Sequence, residues 1–159
     1  EHPRLPIAVA AGLAAPVSSA AVAAGDWMTI ALDEAALPVH ARSEWPDPGE
    51  NPRILEYFRV AAPWFDAKNE GGDEVDWCAA FVNYCLESAG YPGTGHPGAR
   101  SFFWNKDRHF IPIDGPRYGC VAVFRDHPFN DPAWPTGTGH VGFVVDWSSD
   151  RIQLRGREP

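Results

Sequence analysis

The sequence predicts an α+β domain with helices in its first half and an antiparallel sheet in its second. Three observations carry this. Capped stripes of apolar residues at helical spacing follow Asp26, Asn51 and Asp76. The period changes after Pro116, where Cys120–Phe124 and His140–Trp147 read as strands. The turn Ser148-Ser149-Asp150 then sends Arg151–Arg155 back as a hairpin, completing a helices-then-sheet order.

Taken in order, residues 1–25 are alanine-rich and interrupted by Pro16-Val17-Ser18-Ser19, which reads as a leader or linker, too short and broken to span a membrane. A single domain is expected over 26–159. Asp26 caps a first helix, Trp27–Ala36, stopped by Pro38. Asn51-Pro52 opens a second, a cap residue followed by proline at the first helical position, with the stripe Ile54, Leu55, Phe58, Ala61 and Ala62. A glycine-containing loop over 66–76 leads to a third helix, whose stripe is Cys78, Phe81, Val82, Cys85 and Ala89; Asp76 is its expected cap and Gly90 its stop. Residues 90–116 read as loop with one helical turn at Ala99–Trp104, whose aromatic cluster suits core packing.

Composition narrows the function. With 159 residues, 45% hydrophobic and 21% charged, the chain can bury a real core. A net charge of −8 argues against nucleic acid or an anionic lipid surface as partner. Of the three cysteines, Cys78 and Cys85 lie about 10 Å apart by helical rise, beyond disulfide reach. No zinc-type spacing and no H-E-x-x-H occurs, so neither a metal nor another cofactor is expected.

The candidate chemistry centres on Cys78. In the first turn of a helix, unpaired N–H groups and the positive end of the dipole favour a thiolate, and a nearby imidazolium adds to this, giving a pKa in the range of roughly 3.5–7.5. The alternative is a small buried core residue on the Phe81, Val82, Cys85 stripe. His140, after Gly137-Thr138-Gly139, stands at the mouth of a buried strand as a candidate base or as a structural histidine. With a three-residue hairpin loop, Trp147 faces Arg151, Val144 faces Leu154, Gly142 faces Gly156 and His140 faces Glu158, close enough for the carboxylate to orient the imidazole. A two-residue turn would shift that register and leave Glu158 an exposed charge. Asp146, about 20 Å along the same strand from His140, is excluded as the orienting group. Nucleophile, base and orienting carboxylate are the parts of a thiol hydrolase.

Asp76–Leu86 and Gly139–Phe143 together resemble the papain-like bacterial and phage cell-wall hydrolases, the CHAP (cysteine, histidine-dependent amidohydrolase/peptidase) and NlpC-type group. The motifs follow a subfamily that reads W-C-[SA]-A-F-V-N, G-T-G, A-R-S, a strand ending V-V-F, and G-H-V-G-F. Here these are Trp77–Asn83, Gly93-Thr94-Gly95, Ala99-Arg100-Ser101, Val121–Phe124 and Gly139–Phe143, and Asp26–Leu32 and Asn51–Ile54 fit its opening helices. The likeness spans 26–158. It implies a papain-like domain, with the nucleophile at a helix N-terminus packed on the sheet, that cleaves a peptidoglycan amide outside the cytoplasm. Cys78 would be the nucleophile and His140 the base, with no metal. Glu158 takes the place where the subfamily usually has Asn in a G-G-N string; the string here is Arg155-Gly156-Arg157-Glu158. Cys120 stands where the family often has Asp. Relatives normally continue beyond the equivalent of Pro159, so truncation of the domain is expected. Members serve as lysins, housekeeping hydrolases or delivered toxins, the last usually with an immunity protein as partner. Two other readings are a catalytically inert wall- or protein-binding module of the same fold, and a thiol acyltransferase or protein-directed cysteine peptidase.

Overall fold

In a computed structural model of the protein, residues 6–7, 26–104, 107–125 and 139–156 are described. The elements are β1 (Pro6–Ile7), α1 (Trp27–Ala35), α2 (Pro52–Ala61), α3 (Ala67–Glu70), α4 (Cys78–Ser88), α5 (Ser101–Trp104), β2 (Val121–Arg125), β3 (Gly139–Trp147) and β4 (Ile152–Arg155). The expected α+β order is found. A short 3-10 turn at Gly72–Glu74, and α3, occupy the stretch 66–76 expected to be loop, and another 3-10 turn, Val39–Ala41, follows Pro38. Pro6–Ile7, within the stretch read as leader or linker, pairs with Phe124 and Val123.

The helix ends follow local chemistry. Asp26 Oδ1 accepts from the Met28 N–H at 3.0 Å, and Asn51 Oδ1 from the Arg53 N–H at 2.9 Å, each satisfying a donor that lacks a helical partner. Gly90, at φ 87°, ends α4 in a left-handed turn: its N–H donates to Glu87 O at 3.0 Å and the Tyr91 N–H to Leu86 O at 2.9 Å. The start of α4 differs from expectation. Trp77 is the capping position and no side chain caps it; Asp76 instead accepts from the Cys78 N–H at a long 3.5 Å. The Trp77 backbone, at φ −106° and ψ 10°, already turns toward the helix, which moves the boundary one residue beyond Asp76.

The sheet is antiparallel in the order β1-β2-β3-β4. Pleating sends alternate residues to opposite faces. Val121, Val123, Val141 and Phe143 turn into the main core with Ile54, Tyr57, Phe58, Phe81, Val82 and Leu86. Cys120, Ala122 and Val144 turn to the other face, against Ile113, Phe124, Ile152 and Leu154. Tyr57, Phe58, Phe102 and Phe143 are the largest fully buried side chains; burying each contributes roughly 1.5–3 kcal/mol. Phe102 is the member of the 102–104 aromatic cluster that packs inward, while Phe103 and Trp104 are exposed.

The hairpin corrects one expectation and keeps another. Trp147 pairs with Ile152, not Arg151, so the connection 148–151 is one residue longer than expected. An irregularity between Val144 and Asp146 takes up the extra residue, and the expected register returns with Val144 opposite Leu154 and Phe143 opposite Arg155. Gly156 lies against Gly142, where a Cβ on it would stand 3.6 Å from the Gly142 Cα. Among the described residues no helix is long and apolar enough to cross a membrane.

Candidate active site

Cys78 opens α4 and is 1% exposed, packed into the main core. Its helix lies on α2 on one side and on β3 on the other. A set of buried polar contacts fixes the start of this helix. Asp73, buried in the preceding turn, accepts from the Trp45 N–H at 2.8 Å and the Asn51 N–H at 2.7 Å through one carboxylate oxygen. The Asn51 amide donates to Ser43 O at 2.8 Å and Ala41 O at 3.1 Å. The Trp77 indole donates to Glu44 at 3.1 Å and packs on Tyr57 and Phe81. Loop 41–51 is thus pinned to the residues that launch α4. Sequence reasoning missed this set: Asp73 and Glu44 sit in acidic, turn-rich stretches that read as solvated loop.

The environment of the thiol overturns the expectation of a depressed pKa. Burial pushes the Cys78 pKa up to about 12, the Asp76 carboxylate pushes the same way, and the backbone N–H groups of Val141 and Ala79, which face the sulfur, pull against them. Desolvation exceeds what one helix terminus supplies. The resting thiol is neutral at pH 7.

His140 is the second residue of β3, half-buried, opposite Phe124. The Val141 nitrogen facing the sulfur is about 2.4 Å from the His140 Cα by standard backbone dimensions, which makes the histidine backbone and the thiol neighbours. Alternation starts the His140 side chain on the face of Phe124 and Val144, opposite to Val141. Glu158 lies outside the described residues, as does the pairing expected to set it opposite His140.

Among the described residues, two cavities lie near this point. On the helix side, a cleft of about 400 Å³ is lined by Glu34, Arg42, Glu44, Tyr57, Trp77 and Arg155, among others. On the opposite face, an open groove of about 940 Å³ runs past Ile113, Phe124, His140, Trp147, Ile152 and Leu154. Cys78 lines neither. Its predecessor Trp77 lines the first, and His140, predecessor of the Val141 that faces it, lines the second. Cys85 and Cys120 are also buried and free. Among the described residues no group of three or more His, Cys, Asp or Glu is placed to hold a metal.

A thiol at the start of a buried helix, packed with an antiparallel strand whose second residue is histidine, defines a papain-like α+β domain. A family model of the CHAP domain matches residues 70–156, more than half of the chain, and the protein belongs to the CHAP domain family. The match takes in α4, β2, β3 and β4, hence both Cys78 and His140, and stops short of Glu158. No curated protein and no solved structure matches the chain. Membership indicates a hydrolase of the amidase or peptidase type acting on peptidoglycan of the cell wall.

Proposed function

We propose that this protein cleaves an amide bond in peptidoglycan through a Cys78 thiol paired with His140, with Glu158 as the orienting carboxylate. The observation that carries the reading is the Cys78 sulfur facing the Val141 N–H, one residue from the histidine. Since the buried thiol is neutral, its proton passes to the imidazole as the sulfur attacks the substrate carbonyl. The N–H groups at the first turn of α4, Ala79 among them, are suited to hold the developing oxyanion. Collapse breaks the C–N bond, the imidazolium protonates the departing amine, and a thioester remains. Water, deprotonated by the imidazole, attacks the thioester, returns the thiol and releases the carboxylate product.

The enzyme would meet the wall from outside the cytoplasm, as a lysin or as a secreted antibacterial toxin; a toxin would be matched by an immunity protein. Purified peptidoglycan treated with wild type, Cys78→Ala and His140→Ala, with products read by mass spectrometry, tests the reading. New amine and carboxyl ends are expected from wild type only, and an active Cys78→Ala would overturn it. Glu158→Gln should retain more rate than Glu158→Ala, whereas wild-type rates for Glu158→Ala would remove that residue from the site. Near-complete burial of Cys78 favours a second reading, an inert wall-binding module of the same fold. Intact peptidoglycan retained by the protein without cleavage would support it. Products carrying a new acyl link, or cleavage of protein alone, would point to an acyltransferase or a protein-directed peptidase.

A further inference from the structure

We propose that Asn83, Thr94 and Ser101 form a positioning bracket that sets the start of β3, and therefore His140, relative to Cys78 on α4. The inference rests on the proposed Cys78–His140 pair and concerns residues without chemistry of their own. Asn83 lies on the Cys78 helix and is fully buried. Its amide nitrogen donates to Thr94 Oγ1 and to His96 O, both at 3.0 Å, and its Oδ1 accepts from the Thr94 N–H at 2.8 Å. The Thr94 hydroxyl continues to the Ser101 hydroxyl at 2.7 Å; Ser101 is 2% exposed and opens α5.

The two residues before Ser101 close the path. Ala99 and Arg100, both buried, pack on Gly139, the first residue of β3: a Cβ there would stand 3.6 Å from Ala99 Cβ and from Arg100 Cγ, and only 2.8 Å from the Phe124 carbonyl oxygen. Gly93 lets the loop reach Asn83, since a Cβ on it would overlap Asn83 Oδ1. One unbroken series of contacts thus runs from the nucleophile helix through two hydroxyls to the residue before the base. A buried amide whose two donors and carbonyl are all engaged fixes a direction as well as a distance, which apolar packing does less strictly.

The test uses Thr94→Val, which keeps the branched shape and removes the hydroxyl from Asn83 and Ser101, with Thr94→Ser as the conservative rescue. Ile54→Val on α2 serves as a core truncation remote from the bracket. The readouts are the His140 Hε1 resonance and its pH titration, assigned with His140→Gln, and Cys78 alkylation by iodoacetamide at pH 7. Expected are a displaced His140 titration and an approximately tenfold slower alkylation in Thr94→Val, both restored by Thr94→Ser and unchanged in Ile54→Val. A wild-type His140 titration in a Thr94→Val protein of lowered melting temperature would overturn the proposal, leaving the network a source of stability alone. A displaced titration in a protein whose wild type leaves peptidoglycan uncut would uphold the bracket and sink the hydrolase reading, so the two failures are distinct.

Discussion

The Cys78 sulfur is faced by the backbone N–H of Val141, the residue that follows His140. That contact joins the start of α4 to the start of β3, one residue from His140, whose side chain starts on the other face of the strand. With the thiol pKa pushed up to about 12, chiefly by burial, reactivity near neutral pH depends on transfer of the proton to a base. In wild type, alkylation of Cys78 should therefore rise through the range where an imidazole loses its proton. In His140→Ala it should fall by about a hundredfold at pH 7 and recover only in strong alkali. Identical pH profiles for the two proteins would separate His140 from the thiol.

Asp76 acts on the same group with the opposite sign from a catalytic base. Its carboxylate is the second cause, after burial, of the raised thiol pKa, so Asp76→Asn removes a repulsion felt by the thiolate. In the His140→Ala background the alkaline limb of alkylation should move to lower pH on this substitution. An unmoved or upward-shifted limb would show that the aspartate does not oppose ionisation.

Buried thiols also make stability sensitive to base. Cys78 is raised by burial from an ordinary 9.0 to about 12, Cys85 is raised by burial and by Glu34, and Cys120 is raised by burial. Each group holds its proton longer in the folded state than in the unfolded one. Its contribution is complete below about pH 9 and is lost as pH rises toward the folded value. At about 1.4 kcal/mol per pH unit, Cys78 alone is linked to stability on the order of 4 kcal/mol. Melting temperature should hold up to about pH 8.5 and then fall steeply to pH 11, with a shallower fall in Cys85→Ala. A flat profile from pH 8 to 11 would contradict the burial of these thiols.

Much of this architecture was legible in the sequence because it is written in local chemistry. Asp26, Asn51 and Gly90 act at helix ends through atoms within a few residues, and Val144 and Leu154 pair as the alternation requires. What was not legible depends on partners far along the chain. Asp73 gathers N–H groups of Trp45 and Asn51, and nothing in an acidic run distinguishes a carboxylate that will be buried from one that stays in water. The Cys78 environment differs from expectation for a related reason: a helix N-terminus is visible in sequence, whereas the core that the helices and the sheet close around it is not.

Glu34 shows what such a distant contact is worth. Buried on α1, it accepts from the Tyr57 hydroxyl at 2.6 Å and from Arg53 Nε at 2.9 Å, joining α1 to α2 beside the helix-side cleft. Tyr57→Phe leaves the Arg53 pairing in place and should cost about 1.5–2 kcal/mol, the worth of one hydrogen bond to a charged acceptor. Glu34→Ala strands a buried hydroxyl and opens a gap, and should cost about 3–4 kcal/mol. Urea unfolding checks both; a Glu34→Ala loss no larger than that of Tyr57→Phe would mean that the carboxylate holds the two helices together no better than one hydrogen bond does.

Two glycines with opposite surroundings separate close packing from simple backbone freedom. A Cβ at Gly142 would stand 3.0 Å from the Leu154 Cβ and 3.1 Å from the Arg155 carbonyl oxygen, so an alanine must push β4 outward, where β3 and β4 are held in register. A Cβ at Gly115 would meet nothing within 4 Å, and no left-handed backbone is found there. Gly142→Ala should therefore destabilise the fold by about 1–3 kcal/mol and speed amide exchange along the Phe143–Arg155 ladder. Gly115→Ala should be neutral or stabilise by up to about 1 kcal/mol, because it restricts the unfolded chain without crowding the folded one. Since Gly142 lies two residues past His140 on the same strand, the first substitution should also slow the reaction. Equal stabilities for the two variants would show that β4 does not press on β3 as closely as the Gly142–Leu154 approach requires.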